Sequence, residues 1–391
     1  MRRVGVEERR ARLASRHHLA PAARSDDLVA IAGDLVGLHA SDPASVYLGA
    51  AARMREPAVE TVQDALYEAR TLVRILGMRR TMFVLPLELA AIVQAACAGT
   101  IVARERRKLE GMIDGAGLHD DAAAHLRKVE RATLRALAAR GEATGAELSR
   151  DVPALRQEFT FGAGTKWGGV QRLTTRVLVL LGAEGRIVRG RPRGSWLSSQ
   201  YCWAPLESWL LGGLEEWDVE RAQAELARRW LASYGPATLA DLRWWTGWTA
   251  GETRRALAQV ETAEVDLDGE PGLVLADDLE PVAAPEPWVA LLPGLDPSVM
   301  GWTRRDWYLG PHRPALFDSA GNAGPTVWCD GQIVGGWGQP ESGEVTFRLL
   351  EDVGAEAGAA VEAEAERLGA WLGGVRASQR FGAPLVRELS T

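Results

Sequence analysis

Lysine is nearly absent from this chain. Of 45 basic side chains only three are lysines, Lys108, Lys128 and Lys166, so chemistry that needs an amine nucleophile has few candidates. Cysteine is scarce too: Cys97, Cys202 and Cys329 lie roughly a hundred residues apart, a spacing that fits neither a disulfide framework nor a metal-ligand set. No metal is expected, and the expected compartment is cytoplasmic and reducing. Apolar runs such as Val177-Leu-Val-Leu-Leu181 are too short to span a bilayer. The start, Met1-Arg-Arg-Val-Gly-Val, has no apolar stretch behind its basic residues, so neither a secretory signal nor a membrane partner is expected. A positive surplus is missing as well, since 45 basic residues face 52 acidic ones for a net charge of -7.

That net charge argues against nucleic acid only if the signs are mixed, and they are segregated. Residues 341–366 carry eight carboxylates against the single Arg348, whereas residues 186–203 carry Arg186, Arg189, Arg191 and Arg193 and no acid. With 47% hydrophobic and 25% charged residues, the composition is that of a folded globular chain and excludes global disorder. At about 150 residues per domain, the 391 residues predict two to four domains.

Periodicity shows the architecture best between 120 and 212. Residues 122–140 read as a helix with Leu126, Val129, Leu134 and Leu137 on one side, stopped by Gly141. Thr144-Gly-Ala-Glu147 has the capping-box spacing of a short second helix that ends near Pro153. A glycine-rich loop (Gly162, Gly164, Gly168, Gly169) precedes a third helix with Val170, Leu173, Val177 and Leu180 on one face. Gln171, Arg172, Thr175 and Arg176 occupy its other face, and Gly182 and Gly185 end it. Arg186 to Arg189 then reads as strand, Arg191-Pro-Arg-Gly194 as turn, and Trp196 to Trp203 as the returning strand. Three helices and a β-hairpin is the order of a winged helix-turn-helix.

The order recurs over 218–280, with capping boxes at Thr238–Asp241 and Thr249–Glu252 and a hairpin around Asp268-Gly269. The first 115 residues would supply a third copy whose wing is not obvious. After about 282, prolines, glycines and tryptophans crowd in, and Asp330-Gly331 marks a further hairpin. The expected fold class is therefore α+β, mainly helical: three tandem winged helix-turn-helix units plus a C-terminal α+β module resembling a partly closed β-barrel. The expected boundaries are 1–118, 119–214, 215–281 and 282–391. Winged helices bind duplex DNA through a helix and a basic hairpin, which makes Arg172, Arg176, Arg186, Arg189, Arg191 and Arg193 candidate phosphate contacts. Trp196 would stack on a base or simply pack. Gly162-Ala-Gly-Thr-Lys166 lacks the spacing and the preceding strand of a phosphate loop, which argues against nucleotide hydrolysis.

Gly37-Leu-His-Ala-Ser-Asp-Pro43 presents His39, Ser41 and Asp42 at a helix end, with Pro43 forcing a turn. Taken with the Arg70–Pro86 block, Leu291-Leu-Pro-Gly-Leu-Asp-Pro and Asp330-Gly-Gln-Ile-Val-Gly-Gly-Trp337, this stretch resembles the AlkZ/YcaQ-like winged-helix DNA glycosylases over nearly the whole chain. The resemblance implies a glycosylase acting as a monomer on double-stranded DNA that carries bulky or N7-alkylated purines, in alkylation repair or in self-resistance to a genotoxin. The family's catalytic Gln-Φ-Gln or Gln-Φ-Asp, with Φ apolar, falls on His39, Ala40 and Ser41. The substitution remains chemically workable, because a neutral imidazole can accept a water's proton and a hydroxyl can orient that water. Asp42 would orient His39, offset positive charge on the sugar, or cap a turn.

Arg53 is a further candidate DNA contact, as are Arg70, Arg74, Arg79 and Arg80 of the second block, of which two could instead be salt-bridged surface residues. None of the three lysines lies in the resembling block, so no lyase step through a Schiff base is expected, and no cofactor. The rival expectation is a non-catalytic DNA-binding regulator.

Overall fold

The structure is a computed structural model that describes residues 1–117, 119–161, 169–377 and 382–391. The segment Gly162 to Lys166 therefore lies outside the described residues. Three times along the chain helix, short strand, helix, helix, strand, strand follow in order, the second time with an added strand pair, Glu158–Phe161 and Gly169–Arg172, between the second and third helices. Each time the short strand pairs with the last strand of the set.

The first set comprises Leu28–Asp34, Leu38–His39, Pro43–Ala51, Val59–Gln63, Leu72–Gly77 and Thr81–Pro86. Leu38 pairs with Val84 and His39 with Phe83, while Leu72–Gly77 pairs with Thr81–Pro86 on the other side. The second set runs Ala122–Arg140, Ala143–Thr144, Gly145–Asp151, Leu173–Ala183, Ile187–Pro192 and Tyr201–Pro205, with Ala143 opposite Trp203. In the third, Val219–Tyr234, Leu239–Thr246 and Ala250–Leu257 precede the hairpin Thr262–Leu267 and Glu270–Leu275, and an isolated bridge Ala237–Leu273 stands for the short strand.

Local chemistry accounts for most of these ends. The capping boxes Thr144–Glu147, Thr238–Asp241 and Thr249–Glu252 all form, each threonine accepting from the N–H three residues on and each carboxylate accepting from the threonine N–H. Gly141, with φ 74°, ends the helix Ala122–Arg140. Asp268-Gly269 and Asp330-Gly331 both take positive φ at both positions, as a type I′ turn requires.

Several expectations are corrected. Leu28 to Leu38 is not one helix: Val36 and Gly37 have positive φ, which ends the helix and starts a strand. The wing of the first set is the hairpin Leu72–Pro86, turning through Met78–Arg80. The helix assigned from Val170 begins at Leu173. Val170 is instead in a strand, Gly169–Arg172, paired with Glu158–Phe161, and is 64% exposed. The C-terminal module is no barrel: its four strands, Val289–Leu292, Thr326–Cys329, Gln332–Gly338 and Thr346–Leu349, form an open antiparallel sheet in chain order. The helix Gly354–Leu372 packs Val361, Leu368 and Leu372 into the same cluster as Leu291 and Trp337.

A 29-residue helix, Leu87–Gly115, joins the first set to the second. By length and composition it could cross a membrane. Here it is a core element, with Leu89, Ile92, Val93 and Ala96 buried beside Leu226 and Trp230 at one end, and Leu109 and Ile113 in a separate core with Leu126 and Val177 at the other. The helices of the second set thus have their own hydrophobic core, whereas the first set, the third, part of the C-terminal module and Val188 and Ala204 of the second hairpin share another.

Candidate active site and nucleic-acid interface

Gly37 takes φ 109°, and a Cβ there would meet the Leu85 side chain at 2.6 Å, so only glycine lets Leu38–His39 dock on Thr81–Pro86. The strand ends at once. Asp42 caps the helix Pro43–Ala51, its carboxylate accepting from the Ala44 N–H at 3.1 Å, with Pro43 at the first helical position. Asp42 is 3% exposed, so the capping role foreseen as one of its options is the one the geometry displays. Ser41 is left at the joint between strand end and helix cap, where it lines two neighbouring cavities.

The larger cavity, about 1000 Å³, is a cleft between the first and second sets. Its wall includes Arg150, Arg156, Arg172 and Arg189, with Tyr201 and Trp203, and no aspartate or glutamate among the described residues that line it. The smaller, about 260 Å³, is lined by Ser41, Arg74, Arg80, Met82, Arg189 and Trp203, again without a carboxylate. Like charge gathered without acids in a concave surface is the electrostatic footprint of a polyanion site.

His39 is not among the residues lining either cavity. It is 8% exposed, its ring edge-on to Phe83 at 5.7 Å, and its Nδ1 is buried without a hydrogen-bond partner. Asp42 therefore does not orient the ring through that nitrogen. Burial first, and then the nearby Arg79 charge, lower its pKa to about 3. The imidazole is neutral at physiological pH, as expected, yet it is a weak proton acceptor and not a strengthened base.

That burial has a consequence for stability. A solvent-exposed imidazole titrates at about 6.5, so between pH 6.5 and 3 the unfolded chain binds a proton at His39 that the folded chain refuses. The contribution is complete above pH 6.5 and is lost as the pH falls. His17, fully buried and hydrogen-bonded through Nδ1 to Ser298 Oγ at 2.8 Å, is lowered in the same direction by burial and by Arg53. The His39 ring is expected to remove about 1.4 kcal/mol per pH unit in that window. Urea titrations from pH 7 to 4 should show His39→Gln flattening the acid limb by about that amount; an unchanged slope would contradict a neutral buried ring.

The predicted DNA contacts separate clearly. Arg172 and Arg189 line the cleft, Arg172 also meeting Glu158 at 3.0 Å. Arg186 and Arg193 are exposed, Arg193 with Glu147 3.7 Å away. Arg191 is tied to Glu68 at 2.7 Å and Gln63 at 3.2 Å, fastening the wing to the first set. Arg176 is half-buried, donates to Gln171 at 2.8 Å and does not line the cleft. Arg79 has φ 52° and stacks on Trp244 with its guanidinium carbon 3.8 Å from the ring centroid.

One assignment is corrected outright, and for Trp196 the packing option is the one observed. Arg53 is 0% exposed and pairs through both Nη atoms with Asp296, at 2.7 and 2.9 Å, so it cannot reach DNA. Trp196 packs between Tyr47 and Trp371, at 4.8 and 6.0 Å, and joins the wing to the core, so it does not stack on a base. Arg150 and Arg156 went unnoticed in the sequence; the capping box that starts the helix Gly145–Asp151 was the only signal near them.

A model of the AlkZ-like DNA glycosylase family matches residues 32–371. Among solved structures, the Streptomyces sahachiroi DNA glycosylase AlkZ is similar at a TM-score of 0.74 and 22% identity, over 96% of this chain and 98% of that one. No curated protein matches the chain.

Proposed function

The chain belongs to the AlkZ-like DNA glycosylase family, and from that membership we propose that it releases bulky or N7-alkylated purines from duplex DNA by hydrolysis, as a monomer, leaving an abasic site in an uncut strand. We read the three repeated element sets as winged-helix units over 1–118, 119–214 and 215–281, followed by the module 282–391; the shared strand order supports this. The carrying observation is Ser41 opening onto a cleft walled by Arg150, Arg156, Arg172 and Arg189 with no acid among its described lining residues. Arg172 and Arg189 at the cleft, and the exposed Arg186 and Arg193, then serve as backbone contacts. Repair of alkylated DNA or self-resistance to a DNA-alkylating product is the biological setting.

Alkylation at N7 makes the purine a cationic leaving group. The C1′–N9 bond breaks with its electron pair going to the base, which departs neutral, and positive charge develops on the sugar. A water then bonds to C1′ and releases its proton to solvent. The protein's task is placement rather than strong base catalysis. The Ser41 hydroxyl orients the water, and His39, neutral and outside both cavities, takes no proton from it.

Single-turnover excision from N7-methylguanine and bulky-adduct duplexes, developed by alkali, tests this. Ser41→Ala is expected to slow base release about 10- to 100-fold, since misplacing a reacting group costs on that order. Strands should remain intact until alkali is added. The wild-type rate should be level between pH 5.5 and 8.5, because His39 titrates at about 3. A break near pH 6.5 that His39→Gln removes would overturn the assigned role of the ring. Tight sequence-specific binding to undamaged DNA with no base release from any adduct would indicate a regulator instead.

A further inference from the structure

The most unusual charge in the molecule is Arg74. Its side chain is 2% exposed, on the strand Leu72–Gly77, and among the described residues no carboxylate lies within ion-pair distance of it. Its surroundings are phenolic. Nη1 donates to Tyr67 Oη at 3.2 Å, the guanidinium carbon lies 4.7 Å from the Tyr201 ring centroid, and Nε is buried with no partner. Tyr201 Oη is likewise buried without a partner. An unpaired buried cation is strongly unfavourable, and a ring face with one neutral hydroxyl offsets only part of that cost. Arg74 also lines the 260 Å³ cavity that Ser41 opens onto, together with Arg80 and Arg189. Asp42, whose charge reaches Tyr201, directs a carboxylate oxygen to the Ala44 N–H.

We infer that this cavity is a subsite for one backbone phosphodiester of the DNA next to the damaged nucleotide, held by the guanidinium of Arg74, which rests on the Tyr201 ring where the cavity adjoins the cleft that Ser41 also lines. The inference rests on the glycosylase reading and adds to it a reason for acting on DNA strands rather than on free nucleosides. The leaving purine departs neutral and has no use for a buried cation. The sugar becomes positive, and a bare guanidinium nearby would raise the barrier. A phosphate seated on Arg74 cancels that repulsion. Loss of this contact should therefore slow the chemical step more than it weakens binding.

The test replaces, one at a time, each phosphate flanking N7-methylguanine by an uncharged methylphosphonate, and measures both duplex affinity by fluorescence anisotropy and single-turnover excision. With wild type, one position should lower the rate by about 10- to 100-fold, the range of a charge-assisted hydrogen bond. With Arg74→Met, which removes the charge that the phosphate neutralises, the effect at that position should shrink to about 3-fold or less. Tyr201→Leu removes the ring that carries the Arg74 guanidinium but leaves the charge in place, so it reports even where the Arg74 variant does not fold, and should give a partial loss at the same position only. Equal responses of wild type and both variants at every phosphate would overturn the subsite while leaving base release intact. If base release is absent throughout, the same coupling read in affinity still supports the subsite, and the glycosylase reading alone fails. A free phosphate as the occupant would appear as stabilisation by inorganic phosphate over chloride at fixed ionic strength with no position effect, and would overturn the proposal.

Discussion

Asp296→Ala is expected to lower the unfolding free energy by about 3–5 kcal/mol, the usual cost of stripping one partner from a buried ion pair. Arg53 and Asp296 are each fully buried and joined by two hydrogen bonds, 2.7 and 2.9 Å long. The guanidinium also donates to the Gly49 and His17 carbonyls at 2.8 and 3.0 Å and to Ser298 Oγ at 2.9 Å, so every neighbour is arranged around its charge. Asp296 in turn caps the short helix Pro297–Met300 through the Ser298 N–H at 2.9 Å. The pair bolts the far end of the helix Pro43–Ala51, whose near end carries Ser41 and Asp42, onto the C-terminal module. Chemical denaturation of Asp296→Ala, Arg53→Met and the double variant provides the check. The double variant should be more stable than the sum of the singles predicts; simple additivity would mean that the charges are not coupled.

The second large effect is on DNA affinity. Reversing Arg150 and Arg156 together to glutamate should weaken duplex binding by about 100-fold near 0.1 M salt, equally for damaged and undamaged DNA, because backbone contacts carry no sequence information. Neutralising either one singly should reduce the slope of log affinity against log salt by about one. Arg191→Ala is the internal contrast: its guanidinium is already held by Glu68 and Gln63, and its loss should cost less than about 3-fold. Affinity titrations at four salt concentrations separate these outcomes. A cleft variant that binds like wild type would remove the cleft from the DNA path.

Much of the helix chemistry was legible in advance because it is local. Thr144 and Glu147, Thr238 and Asp241, and Thr249 and Glu252 satisfy each other within one turn, so three-residue spacing suffices to announce them. Family membership was legible from Gly37 to Pro43 and the blocks that accompany it. The strand Gly169–Arg172 was hidden because Val170, Leu173, Val177 and Leu180 keep a helical spacing across a real boundary; the pairing of Glu158 with Arg172 decides it. The wing of the first set was hidden because its turn, Met78-Arg79-Arg80, uses two left-handed arginines where a turn usually shows Gly or Asn.

Arginine roles were the least legible. Arg53 and Arg189 look alike in the sequence, yet one is sealed against a carboxylate 243 residues away and the other faces a cleft. The chain by itself determined where helices start and stop, which hairpins turn at Asp-Gly, and which family the motif belongs to, since each depends on neighbours a few residues apart. Only the tertiary structure decided which cations are neutralised in the core, that His39 is buried with a weakened base while Ser41 meets the cleft, and that Arg74 sits among tyrosines. Burial and charge pairing are set by elements brought together from distant parts of the chain, and that is where local pattern carries no information.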